Sequence, residues 1–252
     1  MIVFKNGYLI DTVKNIILTG NYGEIRRANG YAFMTDSAVA RMVDKKDTLS
    51  IHADTIYSTF DTANNIKNIR CFYKVKFFRE DMQGMCDSLS YHGQDSLLVM
   101  YHEPVMWSDS SQLTGDSISL FFKNGQADTM VLYNSAFIIS KDDTNKFNQV
   151  KGRNMVAFFL DNQLHKIKVL GNAETIYYVR EDDRTMIGIN KATSSNMLIY
   201  MGNNQVETIT YLEKTNSVIW PEKEVSVHDL KLRGFKWLEE NRPRSLKDIF
   251  KR

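Results

Sequence analysis

Over residues 29–221 apolar and polar side chains alternate, as in Leu49-Ser50-Ile51-His52-Ala53 and Ile118-Ser119-Leu120. A period of two is the mark of strands with one buried face. The strand-like runs are separated by Asp44-Lys45-Lys46-Asp47, Asp61-Thr62-Ala63-Asn64-Asn65, Asn124-Gly125, Asp142-Asp143-Thr144-Asn145, Asp161-Asn162, Asp182-Asp183-Arg184 and Gly202-Asn203-Asn204. Asn, Asp and Gly tolerate positive φ and bond their own backbone, so these clusters predict tight reversals between antiparallel strands. Pro104 is expected at a strand start or sheet edge, because proline cannot donate to a ladder.

The pattern also repeats at longer range. Asp54-Thr55-Ile56, Asp87-Ser88-Leu89-Ser90-Tyr91, Asp116-Ser117-Ile118-Ser119-Leu120, Asn154-Met155-Val156-Ala157-Phe158 and Asn196-Met197-Leu198-Ile199-Tyr200 read as one recurring element, at intervals of 33, 29, 38 and 42 residues. Ile69, Val99, Val131, Val169 and Ile209 trail it as a second marker. Such periodicity predicts stacked units that share a core. The offset of two from each Asp or Asn predicts an inward row of Ile56, Leu89, Ile118, Val156 and Leu198, with Tyr91, Leu120, Phe158 and Tyr200 as the next row. Stacked, these residues would line a continuous apolar trough, either filled as a core or open to a long apolar ligand. The recurrent Asp and Asn are expected to bond backbone amides where each strand bends.

The two ends read differently. Phe4-Lys5-Asn6-Gly7 repeats Phe122-Lys123-Asn124-Gly125, so the chain is expected to start inside a unit and to leave an open strand edge. After Pro221 the alternation stops. Residues 226–240 predict an amphipathic helix, with Ser226 and Asp229 as its cap and Leu230, Trp237 and Leu238 on one face. Ser245 and Asp248 would cap a last turn holding Ile249 and Phe250. This tail is expected to fold over the open end of the sheet, or to dock on a partner. The division is a β domain over 1–221 and a helical tail over 222–252.

Composition narrows the function. A net charge of +2 with 25% charged residues gives no reason to expect nucleic acid. No apolar run approaches the roughly 20 residues that span a bilayer as a helix. The start lacks a basic segment, apolar run and cleavage site, so any secretory signal is expected to lie upstream or to have been removed. Cys71 and Cys86 could be thiols or a single bridge. No phosphate loop, nucleophile elbow or zinc motif occurs, and His52, His92, His102, His165 and His228 are scattered. No catalytic residue, metal or cofactor is expected.

The runs Leu113-Thr114-Gly115-Asp116, Met82-Gln83-Gly84-Met85-Cys86-Asp87-Ser88-Leu89 and Gly171-Asn172-Ala173-Glu174 resemble the OstA-like proteins, the family of LptA and the N-terminal domain of LptD. The resemblance covers about residues 15–221. It implies an all-β, repetitive, antiparallel β-jellyroll folded as an open V. It implies a non-enzymatic periplasmic module that carries the acyl chains of lipopolysaccharide, or another acylated glycolipid, in its apolar groove. Copies of the chain, or another Lpt-like component, would join strand edge to strand edge by β-augmentation. Two other readings stay open: a structural or adhesive β-repeat protein, and an enzyme of the parallel β-helix type acting on polysaccharide.

Overall fold

The computed structural model describes residues 2–44, 47–161, 163–181, 183–202 and 205–251. The turn residues Lys45-Lys46, Asn162, Asp182 and Asn203-Asn204 fall outside this set. The strands form one antiparallel meander. β1 (Ile2–Asp11), β2 (Ile16–Arg26), β3 (Tyr31–Val43), β4 (Thr48–Phe60), β5 (Ile66–Phe78) and β6 (Met82–His92) each pair with the next. Beyond β6 the rungs are split in the middle. β7 (Leu97–Tyr101) and β8 (Val105–Ser108) both lie along β6. β9 (Ser111–Thr114) pairs with β8 and β10 (Ser117–Lys123) with β7. β11 (Gln126–Tyr133) and β12 (Ala136–Asp143) follow, then β13 (Lys146–Gly152) and β14 (Asn154–Leu160). β15 (Gln163–Arg180) and β16 (Met186–Gly202) run the full width again. β17 (Gln205–Leu212) and β18 (Asn216–Trp220) close the series against β16.

Every rung bends near its middle, and the sequence shows why. Alternate rungs bend through two consecutive left-handed residues: Asp36-Ser37, Tyr73-Lys74, His102-Glu103, Asn134-Ser135, Gly171-Asn172 and Glu213-Lys214. Opposite each pair the neighbouring rung supplies fewer residues, with Asp54 facing Asp36-Ser37 and Ser195 facing Gly171-Asn172. Two residues against one is a β-bulge, which turns a strand sharply and keeps the ladder on both sides. Asp, Asn and Gly enter left-handed backbone easily, and Tyr73-Lys74 is held there by its paired neighbours. The recurring Asp54, Asp87 and Asp116 therefore lie at bends, and each repeat interval is the length of two rungs.

The bends divide the meander into two sheets that share one core. The first contains Tyr31–Thr35, Thr55–Phe60, Ile66–Phe72 and Ser88–His92, then β7, β10, β11, β14, Gln163–Leu170, Asn196–Gly202 and β17. The second contains Ala38–Val43, Thr48–Ala53, Val75–Phe78 and Met82–Cys86, then β8, β9, β12, β13, Ala173–Arg180, Met186–Ser194 and β18. The buried cluster draws on both, with Ile56, Ile69, Met100, Met130 and Val169 from the first and Leu49, Ile51, Phe77, Met106 and Ile138 from the second. Gly84 faces Phe77 across the ladder, and a Cβ there would lie 2.4 Å from the ring, so glycine makes room for it. Cys71 and Cys86 are free thiols within this core. Burial pushes the Cys86 thiol up to about 12 and the Cys71 thiol higher.

Two expectations about the ends need correction. Residues 4–7 do not copy the turn at 122–125. They lie inside β1, which bends at Asn6, and among the described residues β1 is paired on one side, with β2. The tail is not an α-helix and does not cover the last edge, since Asn216 to Trp220 are all exposed. It consists of single 3₁₀ turns at Glu222–Glu224, Val227–Leu230, Glu239–Asn241 and Leu246–Phe250, separated by extended chain. Gly234 has φ +96°, which breaks any helix there. The segment crosses the outer face of the second sheet, from Trp220 back to β4 and β5, as a strap. The expected last turn is present, and Asp248 accepts from Ser245 Oγ at 2.9 Å and Arg244 N–H at 3.0 Å. Among the described residues no helix is long and apolar enough to cross a membrane.

Candidate functional site

The space between the sheets holds the first half of the expected row. Ile56, Leu89, Ile118 and Leu120 are at most 2% exposed and belong to the shared core. Tyr91 is half-buried at its edge, and burial raises its phenol pKa. Val156, Phe158, Leu198 and Tyr200 do not face the interior. Their neighbours Met155, Ala157, Met197 and Ile199 do, at 0–1% exposure. The aspartates of the first three repeats stand at the bend, whereas in the last two the bend residues are Arg153 and Ser195, one place before the asparagine. Counting from Asn154 and Asn196 shifts the register by one, and in a strand that reverses every side chain. On the outer face Lys168 Nζ lies 5.4 Å from the Phe158 ring and Lys166 Nζ 5.1 Å from Tyr200. The asparagines bond the neighbouring bend instead: Asn154 Oδ1 accepts from Asn134 N–H at 2.9 Å, and Asn196 Oδ1 from Gly171 N–H at 3.0 Å.

The interior is packed around Ile56, Leu89 and Ile118 and loosens toward the C-terminal rungs. A void of about 30 Å³ lies among Ile138, Val150, Ile167, Ile199, Val206 and Ile209, contributed by both sheets. That is room for about one water. Next to it a recess of about 220 Å³ opens between Tyr177, Val179, Val206, Ile209 and Ile219. Here polar bonds join the two sheets. Tyr211 from β17 donates to Asn190 Oδ1 at 2.8 Å and lies 3.1 Å from Thr175 Oγ1, and Asn190 Nδ2 donates to Ser217 Oγ at 2.8 Å. Among the described residues no group of three or more His, Cys, Asp or Glu could hold a metal ion.

The strap exposes residues that the sequence reading passed over. Gln83, Gln112 and Gln149 are at most 3% exposed on the outer face of the second sheet. Gln149 donates to Leu230 C=O and accepts from Leu232 N–H, both at 2.8 Å. Gln112 donates to Lys236 C=O and accepts from Leu238 N–H, both at 2.7 Å. Gln83 accepts from Arg242 Nε at 2.8 Å. Around them Phe137, Ile139, Ile176, Tyr178 and Ile189 form a second apolar cluster with Leu232, Phe235 and Trp237. Gln83 and Gln112 stand four places before Asp87 and Asp116, and Gln149 four before the bend residue Arg153. That periodic glutamine was the signal available in the sequence.

Comparison with known proteins connects this geometry to a family. Residues 42–126 match the family model described as the LptA/(LptD N-terminal domain) LPS transport protein. The match includes two of the three runs that carry the resemblance, Met82–Leu89 and Leu113–Asp116, and leaves Gly171–Glu174 outside. Among solved structures, the chain is similar to LptH of Pseudomonas aeruginosa, described as the LptA-homologous periplasmic component of the lipopolysaccharide transport device. The identity is 15% and the TM-score 0.43, over 56% of this chain and 99% of that one. No curated protein matches. The likeness of this all-β chain to the LptA and LptD N-terminal family of lipopolysaccharide-transport proteins thus holds over residues 42–126, from the end of β3 to the start of β11.

Proposed function

We propose that the chain is a non-enzymatic lipopolysaccharide-transport module of the periplasm that takes acyl chains between its two sheets from the C-terminal end. The observation that carries this reading is the recess at Val206, Ile209, Tyr177, Val179 and Ile219, which shares Tyr177, Val206 and Ile209 with the apolar void behind it, in a chain whose residues 42–126 match a lipopolysaccharide-transport family. Sliding a lipid tail requires a surface that excludes water and no nucleophile. Each methylene buried contributes about 0.8 kcal/mol, so a few methylenes in the recess offset the loss of two or three hydrogen bonds worth about 1 kcal/mol each. The Tyr211, Asn190 and Thr175 contacts are such bonds. Parting them lets the sheets separate at this end, whereas the interlocked side chains around Ile118 hold the middle of the stack closed. Among the described residues β1 and β17–β18 are paired on one side, which suits joining to a second copy or to another transport component by added strand pairing.

A displacement assay tests the lipid site. An apolar fluorescent probe bound to the full chain should be released by lipopolysaccharide, and Ile209→Asp should weaken both ligands at least tenfold with the fold intact. Lipopolysaccharide that leaves the probe in place, or an Ile209→Asp variant with unchanged affinity, would overturn the reading.

A further inference from the structure

The outer face of the second sheet is built to hold a peptide backbone. A glutamine offers one donor and one acceptor, the same pair that a strand residue presents. Gln149 and Gln112 each use both on one stretch of the strap, spanning Leu230 to Leu232 and Lys236 to Leu238. The repeat sets these brackets on every second rung, so the array is written into the domain and not into the tail. Three further links involve side chains: Arg242 Nη1 to Asp109 C=O at 2.8 Å, Lys76 Nζ to Lys251 C=O at 2.8 Å, and Lys146 to Glu222 at 2.6 Å. Main-chain bonds within the strap form local turns, such as Phe235 N–H to Leu232 C=O. The strap thus meets the sheet through side chains: the glutamine amides, the Arg242, Lys76 and Lys146 links, and apolar packing by Leu232, Phe235 and Trp237 against Phe137, Phe147 and Ile139.

Amides can return to water when a partner leaves, whereas buried leucines at those positions would make the face a permanent core. The strap leaves β18 through one exposed hinge, residues 221–224. We propose that this face is a peptide-binding site, separate from the interior, whose ligand is the 222–251 segment, and that a second copy of the chain can supply that segment. The brackets read backbone, so they tolerate varied sequence. Leu232, Phe235 and Trp237 supply the preference. The inference does not rest on the lipid reading.

The test uses the full chain with a protease site placed in the exposed hinge at 221–224, cleaved after folding, and a labelled synthetic peptide of residues 222–251. The cleaved tail should remain bound at first and then exchange with the labelled peptide in a saturable way. Gln112→Ala with Gln149→Ala should weaken peptide binding by about tenfold or more, since each removes both bonds to one stretch of the strap. A peptide carrying Phe235→Ala and Trp237→Ala should bind more weakly to the unaltered protein, which keeps the test decisive if the double glutamine variant does not fold. Lipopolysaccharide displacement of the interior probe should be unaffected by exchange. The proposal fails if the cleaved tail leaves only when the β-sheet signal is lost, or if the altered peptide binds as well as the original.

Discussion

The two sheets are built from the same rungs, yet their outer faces differ. On the first sheet the outward row runs through Phe33, Tyr57, Arg70, Ser90, Val99, Ser119, Val131, Val156, Lys168, Leu198 and Thr210, joined partner to partner across the ladder. Tyr101 and Tyr133 on the same face are 38% and 41% exposed. On the second sheet the outward residues Gln83, Trp107, Gln112, Phe137, Ile139, Gln149 and Ile176 are at most 5% exposed, because the strap covers them. One sheet is buried on one face and the other on both. Apolar runs occur in both sheets, as in Leu97-Leu98-Val99-Met100-Tyr101 of the first and Ala136-Phe137-Ile138-Ile139 of the second, so the burial of the second outer face comes from the strap and not from a difference in strand pattern.

The sharpest way to break this comparison is to place a charge on adjacent residues of one strand. Met155→Asp should prevent stable folding, because it buries an unpaired carboxylate between the sheets. Val156→Asp, on the bare outer face, should fold with near-normal stability. Circular dichroism and chemical unfolding would decide, and equal damage from both would overturn the assignment of inward and outward positions.

Truncations give the next effect. Ile139→Ala lies under the strap and should cost about 2–4 kcal/mol, as in a core. Val131→Ala, outward on the bare sheet, should cost under about 1 kcal/mol. Equal costs in denaturant unfolding would mean that the strap does not bury its face in solution.

Gln112→Ala should cost about 1–3 kcal/mol, because the Lys236 carbonyl and the Leu238 amide lose their partner. Thr210→Ala, exposed on the bare sheet, should change stability by less than about 0.5 kcal/mol. Hydrogen exchange at Leu238 should accelerate in the first variant only.

Much of the architecture was legible because it depends on period two, turn chemistry and a repeat. Ile56, Leu89, Ile118 and Leu120 were placed inside on that basis. The failures have a shared physical origin. Asn154 and Asn196 resemble the aspartates in type but follow the bend instead of forming it, and one residue suffices to turn Val156, Phe158, Leu198 and Tyr200 outward. The tail has helical spacing at Leu230, Trp237 and Leu238, but the glutamines draw its backbone groups outward and Gly234 interrupts it. Local pattern cannot report a partner about 80 residues away, such as Gln149 for Leu230 and Leu232.

The smallest effect concerns pH at the end of the strap. Bonds from Lys251 and Ser245, in that order, hold the Asp248 carboxyl at about 2. A depressed pKa contributes stability above the unfolded value of about 4, and this contribution is lost as pH falls through about 2. The contact of Phe250 with His52 should therefore persist from neutral pH down to about 4 and loosen only below it, as followed by nuclear magnetic resonance. Release of the strap end near pH 6 would contradict this.

The proposed transport path depends on lipid entering between the sheets. Photo-crosslinking tests that directly, with a photoreactive residue at Ile209 in the recess and, separately, at Val131 on the bare outer face of the same sheet. Lipopolysaccharide should crosslink at position 209 and be competed by an unlabelled acylated glycolipid, with little signal at 131. Crosslinking at 131 equal to or above that at 209 would place the ligand outside the molecule and contradict the proposed path between the sheets.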